Sequence, residues 1–243
     1  MKITRETACR VWLAVGELSA ESLRALLAHF GSAENVYDAV DAHGAAALQG
    51  LVLPTTAAFL REEADARKLH RKLASMEKHD IRLLTEDDAA WPEILRQIAA
   101  PPAQLFYQGA LSCLMGRHLA MIGTRRCSDY GREHTKRIAA ELSRSGVIVV
   151  SGMADGIDTA ALDGAMSGGT PVIAVLGGGL DRYAPCGREG IGEDILQRGG
   201  LILSEYAPQT IVQKYHFPQR NRLISALSDA VLFMEGRIKS GGM

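Results

Sequence analysis

The sequence lacks several features that would have settled its class at once. It contains no run of about 18 apolar residues, so no membrane-spanning helix is expected. The N-terminal Met1-Lys2-Ile3-Thr4-Arg5-Glu6 has no continuous apolar segment, and so no secretory signal is expected either. Cysteine is sparse: Cys9, Cys113, Cys127 and Cys186 stand far apart, with no Cys-x-x-Cys pair. That spacing argues against a zinc site or a disulfide framework and suits free thiols in a reducing cytoplasm. Charge of one sign is also missing. Lys plus Arg number 27 against 28 Asp plus Glu, a net charge of −1, so a polyanion site has to be a local patch. Glycine is scarce in one part only. Four of the 25 glycines (Gly16, Gly31, Gly44, Gly50) precede residue 109, and the other 21 follow. Glycine serves where the backbone turns left-handed or is approached closely, so the two parts of the chain have different backbone requirements.

What is present reads as two regions. Apolar residues make up 47% and charged residues 23%, an ordinary globular composition with a core to bury. In residues 1–78, Val11, Trp12, Val15 and Leu18 form one helical stripe, and Leu23, Leu26, Leu27 and Phe30 another. Ser19 is placed to cap the second helix and Gly31 to stop it. Residues 57–78 carry a further helical pattern, which completes a small all-helical domain. Residues 79–118 are transitional, with short strands expected at 81–84 and 105–107 and a short helix after Trp91-Pro92.

From residue 119 the pattern changes. Apolar runs at 119–122, 147–150, 172–176, 201–203 and 230–234 alternate with amphipathic helical stretches at 130–144, 158–166, 191–197 and 220–227. Uninterrupted apolar runs separated by helices predict an α/β domain over 79–243, with a doubly wound, mainly parallel, Rossmann-like sheet. Ligands of such sheets bind beyond the carboxyl ends of the strands. The residues there are Gly123-Thr124-Arg125-Arg126, Ser151-Gly152-Met153-Ala154, Gly177-Gly178-Gly179, Ser204-Glu205-Tyr206 and Glu235-Gly236-Arg237. Small residues at these turns let backbone N–H groups approach an anion, which points to a phosphate-binding rim.

The sequence restricts which phosphate. The first turn has no Gly-x-Gly-x-x-Gly and the second strand ends in Ser151-Gly152 rather than an acid, which argues against NAD. No Gly-x-x-x-x-Gly-Lys-Ser/Thr loop, His-Glu-x-x-His or Gly-x-Ser-x-Gly motif occurs, and no cofactor or metal is expected. Asp158 reads as a helix-start acid that complements the helix dipole. A cationic and aromatic cluster spans Lys214-Tyr215-His216-Phe217-Pro218-Gln219-Arg220-Asn221-Arg222. Guanidinium groups hold phosphates and aromatic faces stack unpaired bases, so the cluster suits a single nucleic-acid strand. The same residues also fit a hydrophobic helix start with arginines in ion pairs, and the pattern alone does not choose between these.

Taken in order, Gly123-Thr124-Arg125, Ser128-Asp129-Tyr130-Gly131, Ser151 to Asp158, Ala174 to Asp181, Leu203-Ser204-Glu205-Tyr206, Phe217 to Ile224 and Lys239-Ser240-Gly241 resemble the DNA-processing protein A (DprA/Smf) family. Trp12–Tyr37 resembles that family's N-terminal domain of the sterile-alpha-motif or helix–hairpin–helix kind. The resemblance implies a non-enzymatic cytoplasmic protein that binds single-stranded DNA, dimerises and helps load a RecA-class recombinase in natural transformation. It places the DNA over Gly123, Thr124, Arg125 and Arg126, over Ser151 and Gly152, and against Lys214, Phe217, Arg220, Asn221 and Arg222. The chain departs from the family at Leu162, where a histidine is usual, and at Ala184-Pro185-Cys186-Gly187-Arg188, where Tyr and Asn are usual. Stopping at Met243, it is expected to be cut short of the family's dimer and recombinase contacts, and a truncated fragment that folds without dimerising is a second expectation. A third, a nucleotide phosphoribohydrolase, rests on Gly177-Gly178-Gly179 alone, without that enzyme's following Thr and Glu.

Overall fold

A computed structural model describes residues 3–181 and 190–236. The expected Ala184–Arg188 and Lys239-Ser240-Gly241 stretches, with Arg237, lie outside the described residues.

The chain opens with five helices: α1 (Arg5–Val15), α2 (Ala20–Phe30), α3 (Ala33–His43), α4 (Pro54–Glu63) and α5 (Ala66–Lys78). Each of the first three begins at a hydroxyl cap, Thr4, Ser19 and Ser32, whose side chain accepts a hydrogen bond from the backbone three residues on. Gly31 ends α2 in the left-handed region at φ +85°, as the sequence predicts. The single helical pattern expected over 57–78 is instead two helices. The Asp65 carboxylate accepts from the N–H groups of Arg67 and Lys68, and so starts a new helix two residues after α4 ends. Trp12, Leu13, Leu26, Val36, Val40, Leu48 and Leu60 close the core of this helical unit, and the Trp12 indole N–H donates to the Leu60 carbonyl at 3.1 Å.

The second region contains β1 (Arg82–Thr85), β2 (Gln104–Gly109), β3 (Arg117–Ile122), β4 (Val147–Ser151), β5 (Val172–Leu176), β6 (Leu201–Ser204) and β7 (Ala230–Phe233). They form one sheet in the order β1-β2-β6-β5-β4-β3-β7. The pairings β3–β4, β4–β5, β5–β6 and β3–β7 are parallel; β1–β2 and β2–β6 are antiparallel. Four helices connect these strands: α6 (Asp129–Arg144), α7 (Ile157–Gly168), α8 (Ile191–Gln197) and α9 (His216–Ala226). After Trp91-Pro92 the expected short helix is a single 3-10 turn, Glu93–Arg96.

The pleat sorts the strand residues by face. Met121, Val149, Val172, Ala174 and Ile202 pack with Ala139 of α6, Leu162 of α7 and Ile195 of α8. Ala120, Val150, Ile173, Val175 and Leu203 pack on the other face with Leu223, Ile224 and Leu227 at and beyond α9. The sheet is therefore doubly wound, which is why β5 is buried at every position and reads as an unbroken apolar run. Val11 of α1 and Met76 of α5 join the first of these cores. The strand order reverses at β3, with β4 on one side and β7 on the other, and ligand crevices form at such reversals.

Candidate functional site

The residues after β3, β4 and β5 meet the first turn of α9 at the carboxyl edge of the sheet. Two buried residues of opposite charge organise this meeting, Asp158 at 6% exposure and Arg220 at 4%. Asp158 is the second residue of α7, yet its carboxylate does not cap that helix; α7 has no side-chain cap. It reaches back to accept the Gly152 N–H at 3.1 Å, with further backbone hydrogen bonds from Gly123 and Ala154. The N–H groups expected to cradle a phosphate thus already face a carboxylate of the protein. Burial pushes the Asp158 carboxyl up and the Arg220 guanidinium down, and the opposite charge of each partner works against that shift.

Arg220 lies beneath the rim rather than on it. Its Nη1 donates to the carbonyls of Gly152 at 2.7 Å and Val175 at 2.5 Å, which ties the ends of β4 and β5 to α9. A Cβ at position 152 would come within 2.0 Å of that nitrogen, so any larger residue there has to displace the guanidinium. Gly156, at φ +81°, meets the Thr124 carbonyl just as closely, and Ile157 donates its N–H to the same oxygen at 3.2 Å. The Ser151 hydroxyl is spent on the Met121 carbonyl at 2.6 Å, locking β4 to β3.

The first turn is held from the far end of the chain. Thr124 N–H donates to the Glu235 carbonyl at 2.7 Å, and the Glu235 carboxylate accepts from the N–H and hydroxyl of Ser128 at 3.0 and 2.8 Å. Arg125 and Arg126 project outward from this turn and are exposed. The Arg125 guanidinium lies over the Phe217 ring, 4.1 Å from its centroid. Lys214 is exposed just before α9, and Phe217 and Asn221 are half-buried along that helix.

Two expectations for this edge are corrected. The Gly177–Gly179 run is buried and covered by the segment 207–216: Gly179 N–H donates to the Thr210 carbonyl at 3.0 Å, and the His216 ring Nδ1 lies 2.9 Å from the Gly177 carbonyl. These glycines make a tight packed turn, not an open part of the rim. Arg222 stands apart from the other cations. Its Nη2 donates to both Glu205 oxygens at 2.6 and 2.7 Å, as the ion-pair reading of the cluster allows, and burial raises the Glu205 carboxyl against this partner. Both line a cleft of about 410 Å³ with Glu17, Glu21 and Gln219, so this end of the edge is acidic. The structure therefore brings Gly123, Thr124, Arg125, Ser151, Gly152, Phe217 and Arg220 together and sets Arg222 aside.

Sequence reasoning missed the parts played by Glu235, Asp158 and His216. His216 is fully buried, stacks on Tyr206 at 4.0 Å, and brings its Nε2 to 3.4 Å from Glu17 of the helical unit. For Glu235 a signal existed, since an acid directly after β7 is at the ligand edge. For His216 none did. Among the described residues no group of His, Cys, Asp and Glu is arranged to hold a metal, and no helix is long and apolar enough to cross a membrane.

Residues 82–243 match the family described as DNA recombination-mediator protein A. The DNA processing protein DprA of Bacillus subtilis is 35% identical over 191 residues, which are 77% of this chain and 64% of that protein. The Streptococcus pneumoniae protein of the same name is 37% identical over 156 residues, 64% of this chain and 55% of that one. The chain thus spans less than two thirds of the length of these relatives. The X-ray structure of the Streptococcus pneumoniae protein superposes with a TM-score of 0.76 and 29% identity, over 100% of this chain and 81% of that one. DNA processing protein A from Helicobacter pylori, solved to describe a single-stranded DNA binding mode, superposes with a TM-score of 0.60 and 34% identity, over 66% of this chain and 72% of that one. The matched region contains the whole sheet and every cation at its edge, and on this ground the chain belongs to the DNA recombination-mediator protein A family.

Proposed function

We propose that the protein binds single-stranded DNA along the carboxyl edge of its sheet and works as a recombination mediator. In this reading it acts in the cytoplasm without catalysing covalent chemistry. It protects incoming DNA and helps load a RecA-class recombinase, and the homodimer belongs to the reading for the family's full-length members. Residues 1–78 form the helical domain and 79–243 the DNA-binding domain. The observation that carries the reading is the arrangement of Arg125, Arg126, Lys214 and Phe217. Arg125, lying over the Phe217 ring, and Arg126 are exposed on the turn after β3, where the sheet order reverses, and Lys214 is exposed just before α9. Guanidinium and ammonium groups take the phosphates, and the ring offers a face to an unpaired base. Gly123, Thr124, Ser151, Gly152, Arg220 and Asn221 shape the floor on which the strand lies. The Helicobacter pylori relative's single-strand binding supports the same class of ligand.

The test is an anisotropy titration of a labelled single strand and of the matching duplex over a salt series. Three cation–phosphate contacts give a slope of log affinity against log salt of about −2 for a single strand. Binding independent of salt, or duplex bound as tightly as single strand, would overturn the proposal.

A further inference from the structure

We propose that Tyr215 is a second base-stacking residue, held in position by Glu17 of the helical unit, and that the strand presents bases rather than phosphates to this end of the edge. The inference rests on the single-strand reading above.

Tyr215 is 52% exposed, beside Ile211 at 65% and Val212 at 44%, with exposed Lys214 adjoining. Such a surface is costly in water unless something flat and apolar covers it. The segment that carries it is well anchored. Gln209 N–H donates to Asp181 at 2.7 Å, Lys72 Nζ to the Pro208 carbonyl at 3.4 Å, and Gly179 N–H to Thr210. The ring itself is fixed at both ends. Its hydroxyl donates to Glu17 Oε2 at 3.2 Å, and its edge meets the buried His216 at 4.5 Å and 87°. A ring already held in place loses little freedom when a base stacks on it.

Charge decides which part of the strand comes here. Glu17, Glu21 and Glu205 line the adjoining cleft, opposed there by Arg222 alone, so on the cleft side of Tyr215 a phosphate is repelled while a neutral base is not, and the phosphates stay on the Lys214 side. Phe217 lies two residues on and is taken up by Arg125 of the first turn, whereas Tyr215 is tied to α1. The two rings thus flank the start of α9. A strand crossing from the first turn meets Arg125 and Phe217 first and Tyr215 next.

The experiment is a titration of labelled oligothymidylate with the full chain and with Tyr215→Ala, Tyr215→Leu, Tyr215→Phe, Tyr215→Trp and Glu17→Ala, each at several salt concentrations. Tyr215→Ala and Tyr215→Leu are expected to bind about 5- to 100-fold more weakly, the usual loss for a stacked base. Their salt slope stays that of the parent, because no phosphate contact is removed. Tyr215→Trp and Tyr215→Phe bind more tightly than Tyr215→Ala and Tyr215→Leu, and Tyr215→Phe, which lacks the hydroxyl bond to Glu17, falls about 2- to 10-fold below the parent because the ring must then be immobilised on binding. Glu17→Ala removes the same bond but also a charge that repels the strand, so it binds more tightly than Tyr215→Phe. Thermal unfolding of the Tyr215→Leu and Tyr215→Phe pair, both filled and both lacking the hydroxyl, separates stacking from stability. Parent-like affinity of Tyr215→Ala, failure of Phe and Trp to rescue, or a reduced salt slope would each overturn the inference while the parent still binds. A parent that does not bind oligothymidylate at all overturns the single-strand reading, and this inference with it.

Discussion

Arg220→Ala separates a rim that is read by DNA from one that is built by the protein. By sequence Arg220 belongs with the DNA-contacting cations; in the structure it is buried under Gly152 and Val175, with the Asp158 carboxylate supporting its charge. Truncation leaves the Asp158 carboxylate buried without its counter-charge and two carbonyls without their donor. Hydrogen bonds to charged groups are worth about 1.5–3 kcal/mol each, and two are lost. The expected loss is therefore about 3–5 kcal/mol, a large share of the ~5–15 kcal/mol that holds a domain folded. At about 2–4 °C per kcal/mol for a chain of this size, the melting temperature falls by about 6–20 °C. Urea unfolding followed by tryptophan fluorescence measures the loss, and single-strand titration under folding conditions measures the salt slope. The reasoning requires a large drop in stability with an unchanged slope. An Arg220→Ala protein as stable as the parent, with a slope shallower by about one phosphate contact, would show that the guanidinium meets DNA directly and refute it.

Arg125→Ala is expected to do the reverse: parent-like unfolding, with single-strand binding weakened equally for all base compositions and a salt slope reduced by about 0.7. Glu205 has its carboxyl raised by burial, so its contribution to stability is complete below its unfolded value of about 4.3 and is lost as pH rises through the higher folded value. Urea unfolding of Glu205→Gln against the parent across that window is expected to show the parent losing ground as pH increases. Asp65 is the opposite case, held below the usual carboxylate range by the N–H groups of Lys68 and Arg67. Its stabilisation of α5 is present above about pH 4 and lost as pH falls below it, so Asp65→Ala is less stable than the parent near neutrality and closes the gap in acid, as circular dichroism melts would show.

The sheet was legible because burial on both faces leaves an unbroken apolar run, and Val172–Leu176 is one. The helices were legible where amphipathic spacing coincided with a cap, as at Ser19 and Gly31. The break between α4 and α5 was hidden because the helical spacing continues through it, and only the Asp65 side chain decides that the backbone restarts. At the candidate site, position along the sheet edge was legible, but the partner of each cation was not. Arg125, Arg220 and Arg222 look alike in sequence. One lies over a ring, one is spent on carbonyls and one on a carboxylate, because those partners arrive from residues 217, 152, 175 and 205. The glycines at 177–179 misled for the same reason, since the segment that covers them begins some thirty residues later.

The hold of Glu235 on the first turn bears on how the molecule acquires its competence. Ser128 and Glu235 are 107 positions apart, and the pairing of β3 with β7 spans a similar distance. Contacts this remote in sequence form late, after the local helices and the successive βα units are in place. During synthesis the helical unit and β3 to β6 can assemble while residues 123–128 still lack their clasp. The loop that carries Arg125 and Arg126 takes its final shape only when β7 docks at the edge of the sheet. A nascent or partly unfolded chain would thus keep much of its secondary structure while the turn that carries Arg125 and Arg126 still lacks the bonds from Glu235 that fix it.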